Sequence, residues 1–443
     1  MTPTRNSILD DHPDCRALEG EGMRMLALLE RLWPIHRSLA GPGIRETLAI
    51  LGSSLEGFTV TQVASGSRVL DWIVPEEWHL RSACLEAPDG RRLCDVADNT
   101  LHVVGYSTAV DEKLSLAELQ PHLYSLPDQP DAIPYVTSYY ERKWGFCLSH
   151  RQRESLPEGT YHARIDANHV AGSLDYGQLV LPGRTAEEIL FSTYCCHPAM
   201  ANNELSGPVL AAALAEWLAA LPDRRYTFRF VFVPEMIGSA AVLETQREHL
   251  RSHVRAAFNL TCVGDERTWS FLPSRLGDTY ADQVARHVLR HAVGSYDTYA
   301  WRDRGSDESM YCSPGIDIPM VSIMRSKYGT YPEYHTSLDT PGRVVTARGL
   351  AETLGLHRTL VETLEHDCAP RALVLGEPQL GRRGLYPQTS IKGSTAAVKD
   401  LLDLISHADG HTSLLDIAAR CDRPLWSLLP HLEVLVTAGV MER

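Results

Sequence analysis

Residues 192–208 read Ser-Thr-Tyr-Cys-Cys-His-Pro-Ala-Met-Ala-Asn-Asn-Glu-Leu-Ser-Gly-Pro, and they are the most informative segment of the chain. It leads out of an apolar strand predicted over residues 188–193 and into an Ala- and Leu-rich helix predicted over residues 209–221. The polar turn between them puts His197 at the carboxyl end of a strand, where open α/β sheets bind their ligands. A neutral imidazole there is a good ligand for zinc or iron. The stretch therefore predicts an α/β sheet with a metal-binding edge.

Predicted strands and helices alternate around this turn. Apolar runs such as residues 228–233, Phe-Arg-Phe-Val-Phe-Val, are typical of central strands that helices cover on both faces. The other predicted strands are residues 179–181, 226–233 and 256–260, and the other predicted helices are residues 239–250, 281–292 and 348–365.

The composition excludes several classes of protein. The chain has 443 residues, 44% of them hydrophobic and 22% charged, which allows two or three domains with sizeable cores. Its formal net charge of −14 argues against binding to nucleic acids or anionic membranes. No apolar run reaches about 18 residues, and residues 1–14 lack the apolar core of a signal peptide. The ten cysteines have no paired spacing, which is typical of free thiols in a cytoplasmic protein.

Two further polar segments supply groups that could bind the same metal ion. Glu235 follows the predicted strand at residues 226–233, and His335 lies in a polar loop before the last long helix of the α/β part. Together with His197, these residues make a three-ligand set for Zn²⁺ that leaves a position open for water. The same set on Fe²⁺ would be a facial triad, so ligand type does not fix the metal, although availability favours zinc.

Residues 302–315 form a second polar loop, dense in acid and base groups and equally typical of a solvated surface turn. If Glu235 is a metal ligand, the general base has to come from elsewhere. The choice depends on which carboxylate lies within hydrogen-bond reach of the nucleophilic water. The candidates are Asp307, Glu308 and Glu204.

The sequence does not decide the roles of Tyr334 and Asp339, which lie close to His335 in the chain. Tyr334 could donate a hydrogen bond to a tetrahedral oxyanion, which is worth roughly 2.7–4 kcal/mol in comparable sites. It could equally be an aromatic ring packed over the metal loop. Asp339 could orient His335 through a hydrogen bond.

Cysteines near the predicted site allow a thiol mechanism as an alternative. They are Cys195, Cys196 and Cys262. A nucleophilic cysteine needs a neighbouring cation or base that keeps it a thiolate. His197 could act in this way, but the proline that follows it and its Glu and His partners fit a metal site better.

The order of the motifs resembles that of the co-catalytic zinc aminopeptidases. The motifs are His-Pro…Asn-x-x-x-Ser-Gly at 197–207, Glu-x-x-Gly-Ser at 235–239, Asn-Leu-x-x-x-Gly at 259–264, Ser-Asp at 306–307 and Tyr-His-Thr-x-x-Asp-Thr at 334–340. More closely, the chain is similar to a bacterial and archaeal family of aminopeptidase-like proteins. These are often linked by name to polysaccharide biosynthesis and carry a C-terminal winged helix. This closer resemblance covers nearly the whole chain.

The resemblance implies a zinc-ligand role for His197 and His335, and either a ligand or a general-base role for Glu235. It places Asn203 where the two-zinc enzymes have a metal-bridging Asp, and Thr261 where their next ligand strand has a carboxylate. Both departures remove anionic groups that hold two cations close together. We therefore expect one zinc ion per chain rather than two, with Asn203 able to contribute an amide oxygen.

The expected architecture has three parts. The resemblance implies a zinc-exopeptidase-like (phosphorylase/hydrolase-like) three-layer α/β sandwich formed by residues 1–70 and 160–370. Short strands and frequent prolines over residues 71–159 predict a β-rich module inserted into it. Residues 382–443 read as three short helices that resemble a winged helix.

The expected function is metal-dependent hydrolysis of an amide next to a free amine in a small peptide or amide substrate, with metal-bound water as the nucleophile. Carboxylates could hold the amine of the substrate by charge-assisted hydrogen bonds. The substrate-binding candidates are Glu204, Arg304 and Glu333, with Asp307 and Glu308 as further anchors. Two alternatives stay open: a metal-dependent enzyme that acts on a non-peptide biosynthetic intermediate, and a catalytically degenerate scaffold or interaction protein.

The winged helix is not expected to bind DNA. Residues 382–443 hold seven basic and seven acidic residues, and the helix at 424–438 has no Arg, Asn or Gln to read bases. We expect it instead to contact the catalytic domain or a second subunit of a homo-oligomer. The contact residues would be Leu428, Leu429, Leu432 and Val436.

Overall fold

The computed structural model describes residues 15–139, 141–386 and 396–443. They form two compact units: the first contains the described residues up to Ala281 together with Asp297–Gly355, and the second contains Asp282–Tyr296 and the described residues from Leu356 to Arg443. Within the described ranges, every helix is too short or too polar to cross a membrane.

The elements are labelled in chain order. The helices are α1 (Cys15–Leu32), α2 (Pro42–Gly52), α3 (Leu116–Leu119), α4 (His150–Glu154), α5 (Ser206–Ala220), α6 (Ile237–His253), α7 (Tyr280–Val288), α8 (Glu308–Tyr311), α9 (Ala347–His366), α10 (Ala396–His407), α11 (Leu414–Cys421) and α12 (Leu425–Thr437). The strands are β1 (Thr59–Ala64), β2 (Arg68–Val69), β3 (Trp72–Ile73), β4 (Glu77–Glu86), β5 (Arg92–Leu93), β6 (Val110–Ser115), β7 (Leu123–Tyr124), β8 (Phe146–Cys147), β9 (Thr160–Val170), β10 (Ser173–Leu181), β11 (Glu188–Tyr194), β12 (Thr227–Val233), β13 (Val254–Asn259), β14 (Ser270–Leu272), β15 (Asp297–Thr298), β16 (Met320–Met324), β17 (Arg371–Ala372) and β18 (Met441–Glu442).

Eight strands of the first unit form one mixed sheet in the order β1-β10-β12-β11-β13-β16-β14-β15. Strands β12, β11, β13 and β16 are parallel neighbours, the pairing that β-α-β alternation produces. The predicted α/β fold class is thereby confirmed. The predicted strands at 188–193, 226–233 and 256–260 correspond to β11, β12 and β13. The sequence pattern does not predict β16 or the short edge strands β14 and β15.

Helix α5 follows the turn that carries His197 and lies deep in the core. Of its 15 residues, 11 are buried, as expected of a helix that is apolar on all sides. A Cβ on Gly207 would lie 2.1 Å from the carbonyl oxygen of Leu260 and 2.5 Å from Thr193 Oγ1. Glycine is therefore required for the start of α5 to approach the ends of β11 and β13 this closely.

A second, antiparallel sheet has the order β5-β4-β9-β6. Strand β9 pairs with both β4 and β6, and its inward residues share a core with Trp78 and Phe146. The predicted β-rich module ends at residue 159, just before β9. The predicted limits therefore assign β9 to the α/β domain, although it pairs with β4 and β6 of the module. The domain limits themselves stay predictions.

The second unit contains the three helices that the sequence pattern predicts as a winged helix, together with the strand pair β17–β18. Leu428 and Leu432 are buried in it, whereas Leu429 and Val436 are partly exposed. Residues 282–296 also belong to this unit, and His287 Nε2 accepts a hydrogen bond of 2.9 Å from the backbone N–H of Leu425. Residues 387–395 of the predicted domain lie outside the described residues.

Candidate active site

His197 and Glu235 come together because their strands are parallel neighbours. Strands β11 and β12 run side by side to Tyr194 and Val233, and a polar turn follows each. His197 Nε2 lies 3.6 Å from Glu235 Oε2. Two ligand atoms that bind one zinc ion at about 2.0–2.1 Å in tetrahedral geometry lie roughly 3.4 Å apart. These two atoms are thus spaced as two ligands of one ion would be.

The other ring nitrogen of His197 faces a buried carboxylate. Glu204 Oε2 lies 2.6 Å from His197 Nδ1, and Glu204 Oε1 accepts a hydrogen bond of 2.6 Å from the backbone N–H of His197. Glu204 lies in a π-helical turn, Ala201–Leu205, and such turns often occur at functional sites. Burial lowers the pKa of His197, but the charge of Glu204, its hydrogen bond to the ring and the charge of Glu235 together outweigh burial, so this pKa is raised above its ordinary value. A carboxylate on Nδ1 holds the ring in the tautomer that offers Nε2 to a metal.

Cys196, His197 and Glu204 form a buried group that the sequence pattern does not single out. Their ligand atoms all lie within 4.8 Å of one another, so the group could hold a metal ion, and His335 lies outside it. The 2.6 Å contact between Nδ1 and Oε2 is nevertheless a hydrogen-bond distance, shorter than the roughly 3.4 Å between two zinc ligands. This distance fits a Glu204 carboxylate that orients the His197 ring, which leaves Nε2 as the nitrogen that could bind a metal ion.

His335 comes to the site from the loop after β16. Its Nε2 lies 3.2 Å from Asn203 Oδ1, and its ring centroid lies 5.5 Å from that of His197. Burial and then the charge of His197 lower the pKa of His335 to about 3. The imidazole is therefore neutral at pH 7, which is the form that binds metals. His197, Asn203, Glu235 and His335 are called the strand-end cluster below.

Asp339 positions the π-helical turn rather than His335, which corrects the expectation from the sequence. Its carboxylate accepts hydrogen bonds from the backbone N–H groups of Asn202 and Asn203, at 2.8 and 3.0 Å, and from the Tyr331 hydroxyl at 3.0 Å. The turn carries Asn203, so Asp339 acts on the partner of His335. The side-chain N–H of Asn203 also donates to the Tyr194 hydroxyl at 3.0 Å, which fixes its Oδ1 toward His335.

Glu235 and Asp307 are neighbouring acids with raised pKa values. Burial raises the pKa of Glu235 to about 7, although the charge of His197 lowers it. Burial and then the charge of Glu235 raise the pKa of Asp307 well above its usual range. Asp307 Oδ1 also accepts a hydrogen bond of 2.6 Å from the backbone N–H of Met236, so it holds the turn that carries Glu235. Acids with pKa values near or above neutrality are typical of functional sites.

Glu308 is a structural carboxylate of the polar loop. Its Oε1 accepts from the backbone N–H groups of Gly305 and Ser306 and from the Tyr328 hydroxyl, at 2.9, 3.0 and 2.7 Å. Its Oε2 accepts from Asn259 Nδ2 at 3.0 Å. Four donors occupy both oxygens of a fully buried group, which leaves little capacity for a water molecule or a substrate amine.

The remaining candidate residues for substrate binding and catalysis are Arg304, Glu333 and Tyr334, and each has a different environment. Arg304 is exposed, and its guanidinium lies 5.0 Å from the ring centroid of Trp301. Glu333 Oε1 pairs with Arg267 at 2.9 Å, while its buried Oε2 has no hydrogen-bond partner among the described residues. Tyr334 stacks on His335 with a centroid distance of 3.8 Å, which is the packing arrangement that the sequence left open.

The turns around the cluster have unusual backbone conformations. Ala199, Met236, Cys262 and His335 have positive φ angles between 44° and 64°. Such a conformation in a non-glycine residue costs on the order of 1–3 kcal/mol and persists only where the surroundings enforce it. Strain of this kind is concentrated at functional sites, so its presence here supports the assignment of the site.

Arg37 and Tyr135 contact the cluster but carry no local sequence signal for it. The guanidinium Nε of buried Arg37 donates to the carbonyl oxygen of His197 at 3.1 Å. The Tyr135 ring lies 5.0 Å from the His197 ring and 5.3 Å from the His335 ring, and its backbone N–H donates to the His335 carbonyl at 3.0 Å. Only the fold brings these distant segments together. The residues next to Arg37 in sequence do not indicate a buried guanidinium.

The thiols near the cluster are poor nucleophiles. Cys195, Cys196 and Cys262 are fully buried, and burial raises the pKa of each, to about 12 for Cys262. The thiolate is the reactive form, so raised pKa values argue against the alternative thiol mechanism.

Glu204→Gln should weaken metal binding about 10–100-fold, because the amide cannot hold His197 as the carboxylate does. The pKa of His197 should fall at the same time, because the charge that raises it is gone. A zinc titration against a competing chelator measures the affinity, and an NMR titration of the metal-free protein measures the pKa. Glu216→Gln on α5 is the matched control. An unchanged affinity in a folded Glu204→Gln variant would contradict the orienting role.

Two protein families match this chain, and together they cover residues 26–367 and 369–443. Residues 26–367 match a family described as a domain of unknown function, DUF4910, and residues 369–443 match a winged helix-turn-helix family. A Clostridium acetobutylicum protein named for polysaccharide biosynthesis and for an aminopeptidase-like domain is 36% identical over 410 residues, which is 90% of this chain and 91% of the relative.

Several solved structures have folds similar to that of this chain. A Clostridium acetobutylicum protein described as a candidate peptidase has a TM-score of 0.91 at 33% identity, covering 96% of this chain and 97% of that one. A zinc aminopeptidase from Bacillus subtilis has a TM-score of 0.56 at 12% identity, covering 77% and 94%. A peptidase M28 precursor from Shewanella amazonensis has a TM-score of 0.57 at 12% identity, covering 82% and 97%. The fold is therefore that of the zinc aminopeptidases, and the expected resemblance and winged helix are confirmed.

Proposed function

The chain belongs to the DUF4910 family of aminopeptidase-like proteins, and from that premise we propose that it is a metal-dependent hydrolase that cleaves an amide bond next to a free amine. The observation that carries the proposal is the 3.6 Å spacing of His197 Nε2 and Glu235 Oε2 at the carboxyl edge of the sheet. His335 and Asn203 adjoin this pair, and the buried Glu204 carboxylate orients His197.

We propose His197, Glu235 and His335 as zinc ligands, with the amide oxygen of Asn203 as an additional donor. Two features support the fit: the neutral state of His335 and the tautomer that Glu204 imposes on His197. A bound zinc ion would polarise the carbonyl of the substrate and promote the ionisation of water. The same donors would accept Fe²⁺, so metal analysis has to identify the ion.

The residues of the chain would divide the remaining tasks. If Glu235 binds the metal, Asp307 is the acid best placed to hold a proton beside it, because its pKa is raised well above the usual range. Glu308 is saturated by four donors and Glu204 faces His197, so we propose neither as the base. The unpartnered Oε2 of Glu333 is the anchor we propose for the amine of the substrate.

The hydrogen bonding at Asn203 and Thr261 supports one metal ion rather than two. The Tyr194 hydroxyl lies 2.6 Å from Thr261 Oγ1, and Thr261 Oγ1 donates to the carbonyl oxygen of Asn203 at 3.0 Å. Asn203 Nδ2 completes the network by donating to the Tyr194 hydroxyl at 3.0 Å. Neutral groups that satisfy one another occupy the positions where the two-zinc enzymes carry carboxylates. A second cation would find no compensating charge there.

The double substitution Asn203→Asp and Thr261→Asp should raise the metal content from about one to about two ions per chain, because it restores the carboxylates of a two-metal site. Elemental analysis of the purified variant measures the content. The matched control, Asn203→Ala with Thr261→Ala, should not gain a second ion. Two fully occupied ions in the unmodified protein would contradict the single-metal assignment.

Aminoacyl anilides provide the direct test of the proposed reaction. The zinc-loaded protein should hydrolyse a chromogenic aminoacyl anilide, and N-acetylation of that anilide should remove the activity, because the charged amine is lost. Chelation should abolish hydrolysis and added zinc should restore it. Activity that survives complete metal removal would refute the mechanism.

A second candidate is a metal-dependent enzyme that acts on a non-peptide amide. Two observations favour it: a similar protein is named for polysaccharide biosynthesis, and Asn203 and Thr261 depart from the aminopeptidase pattern. A fully loaded protein that hydrolyses no aminoacyl anilide would favour this second function over the first.

A further inference from the structure

A cavity of about 310 Å³ lies near the strand-end cluster, although His197, Asn203, Glu235 and His335 are not among the residues that line it. Ile237, which lines it, is two residues after Glu235. Tyr139 lines it as well, and its hydroxyl lies 2.8 Å from the hydroxyl of Tyr135, whose ring contacts both imidazoles of the cluster. This pair of phenols therefore lies between the cavity and the two imidazoles of the cluster. We call this cavity the aromatic cavity.

The aromatic cavity has an apolar base and a charged rim. Tyr106 and Ile237 in its wall are buried, with 5% and 3% of their surface exposed, and Trp72 is half-buried. At the rim, the exposed side chains of Arg142 and Glu76 form an ion pair. Pockets for small molecules typically measure about 300–1,000 Å³ and combine apolar walls with a few placed polar groups. The aromatic cavity fits this description at its lower limit, which is enough for one ring.

The polar groups of the wall restrict the chemistry of a ligand. His169 lines the cavity, and its buried Nε2 has no hydrogen-bond partner among the described residues. Glu76 and Arg142 supply an acceptor and a donor that neutralise each other, so neither sign of ligand charge is favoured. Neighbouring side chains bury this nitrogen, so the imidazole has to turn before a ligand hydroxyl can reach it, and a purely apolar ligand would leave it unsatisfied. A neutral ligand with several hydroxyl groups and an apolar ring face would satisfy both kinds of wall.

We propose that the aromatic cavity binds a sugar ring of the substrate, with the face of the ring on Trp72 and Tyr139 and its hydroxyl groups on His169, Glu76 and Arg142. The binding of the sugar does not depend on the proposed function. Only the cleavage of an amide bond next to that sugar rests on it. The proposal deepens that function by giving the substrate class as a sugar-linked amide. Sites built to hydrogen-bond hydroxyl groups reject analogues that lack them. Amides of apolar amino acids should accordingly be poor occupants of this cavity.

Binding of free sugars tests the proposal without catalysis. The probes are glucose, glucosamine and N-acetylglucosamine, with leucine amide and phenylalanine amide as comparators. Saturation-transfer NMR and calorimetry on the full chain should give dissociation constants on the order of 1 mM for at least one sugar. The metal-free protein should bind the same sugar, since the cavity walls are not metal ligands. Binding of the amino-acid amides alone, or of none of the probes, would overturn the proposal.

Two substitutions separate a sugar from an apolar ligand. His169→Phe keeps a ring in the wall but removes the unpartnered nitrogen, and should weaken sugar binding about tenfold. Trp72→Leu removes the aromatic face and should weaken it by at least as much. Tyr386→Ala, an exposed aromatic residue that does not line the cavity, is the control and should bind normally. Sugar binding that is unchanged or tighter in a folded His169→Phe variant would overturn the proposal.

The two proposals fail in different ways. Sugar binding without hydrolysis of aminoacyl anilides would refute the aminopeptidase reaction and leave the sugar site intact. Hydrolysis of aminoacyl anilides without sugar binding would refute the sugar site alone.

Discussion

Replacing His197 by alanine should reduce the metal content of the purified protein from about one ion per chain to near zero and abolish metal-dependent hydrolysis. His197 is central because Nε2 faces Glu235 and Nδ1 faces Glu204. The remaining donors, Glu235, His335 and the weakly binding amide oxygen of Asn203, could not hold a zinc ion in a stable site. Elemental analysis and a chelator-competition titration measure the loss.

Folding has to be separated from metal loss in this variant. Removing His197 leaves Glu204 as an unpaired buried charge, which costs roughly 3–5 kcal/mol. His335→Ala avoids that cost, because the low pKa of His335 makes it neutral, and it should lose the metal as well. The half-exposed His79, which pairs with Glu77, gives the control His79→Ala with unchanged metal content. A folded His335→Ala variant that keeps its metal would remove His335 from the ligand set.

Glu235→Gln should lower hydrolysis about 10²–10⁴-fold and should also lower the metal content. The amide is a weaker ligand than the carboxylate and cannot accept a proton. In the unmodified protein, the pKa of Glu235 is about 7, so its carboxyl group loses its proton near neutral pH. Zinc binding should therefore release a proton at pH 6 in the unmodified protein and release fewer in Glu235→Gln. Calorimetry in buffers of different ionisation enthalpy measures this release.

The metal content of Glu235→Gln decides the role of the residue. A variant that stays fully loaded but loses hydrolysis would make Glu235 the general base and leave His197, His335 and Asn203 as the ligand set. The control is Glu244→Gln, because Glu244 accepts a hydrogen bond from the Leu70 backbone, away from the cluster.

The sheet and two site residues could be predicted from local sequence because each signal is contiguous. Strands β11 and β12 are rich in apolar residues and end at polar turns, so His197 and Glu235 had to lie at one edge of the sheet. Strand β16 was not predictable in the same way. Its five residues are all buried, but so short a run is indistinguishable from other apolar segments.

The orientation of the site could not be predicted, because it depends on contacts between distant segments. The π-helical segment directs the Glu204 side chain inward, to His197 Nδ1, whereas the local sequence pattern indicates only a polar turn. Asp339 is close to His335 in sequence, yet its carboxylate reaches the backbone of Asn202 and Asn203. The Tyr135 ring, which contacts both imidazoles, comes from residues between the strands of the second sheet.

An anomalous-difference map at the zinc edge, from crystals of the protein as purified, tests the central claim most directly. We predict one peak per chain, at bonding distance from His197 Nε2, Glu235 and His335 Nε2, about 2.0–2.2 Å from each ligand atom. Two peaks about 3.5–4 Å apart would contradict the single-metal site. A peak on the Nδ1 side, between Cys196 and Glu204, or no peak in a protein that hydrolyses its substrate, would contradict the proposed site itself.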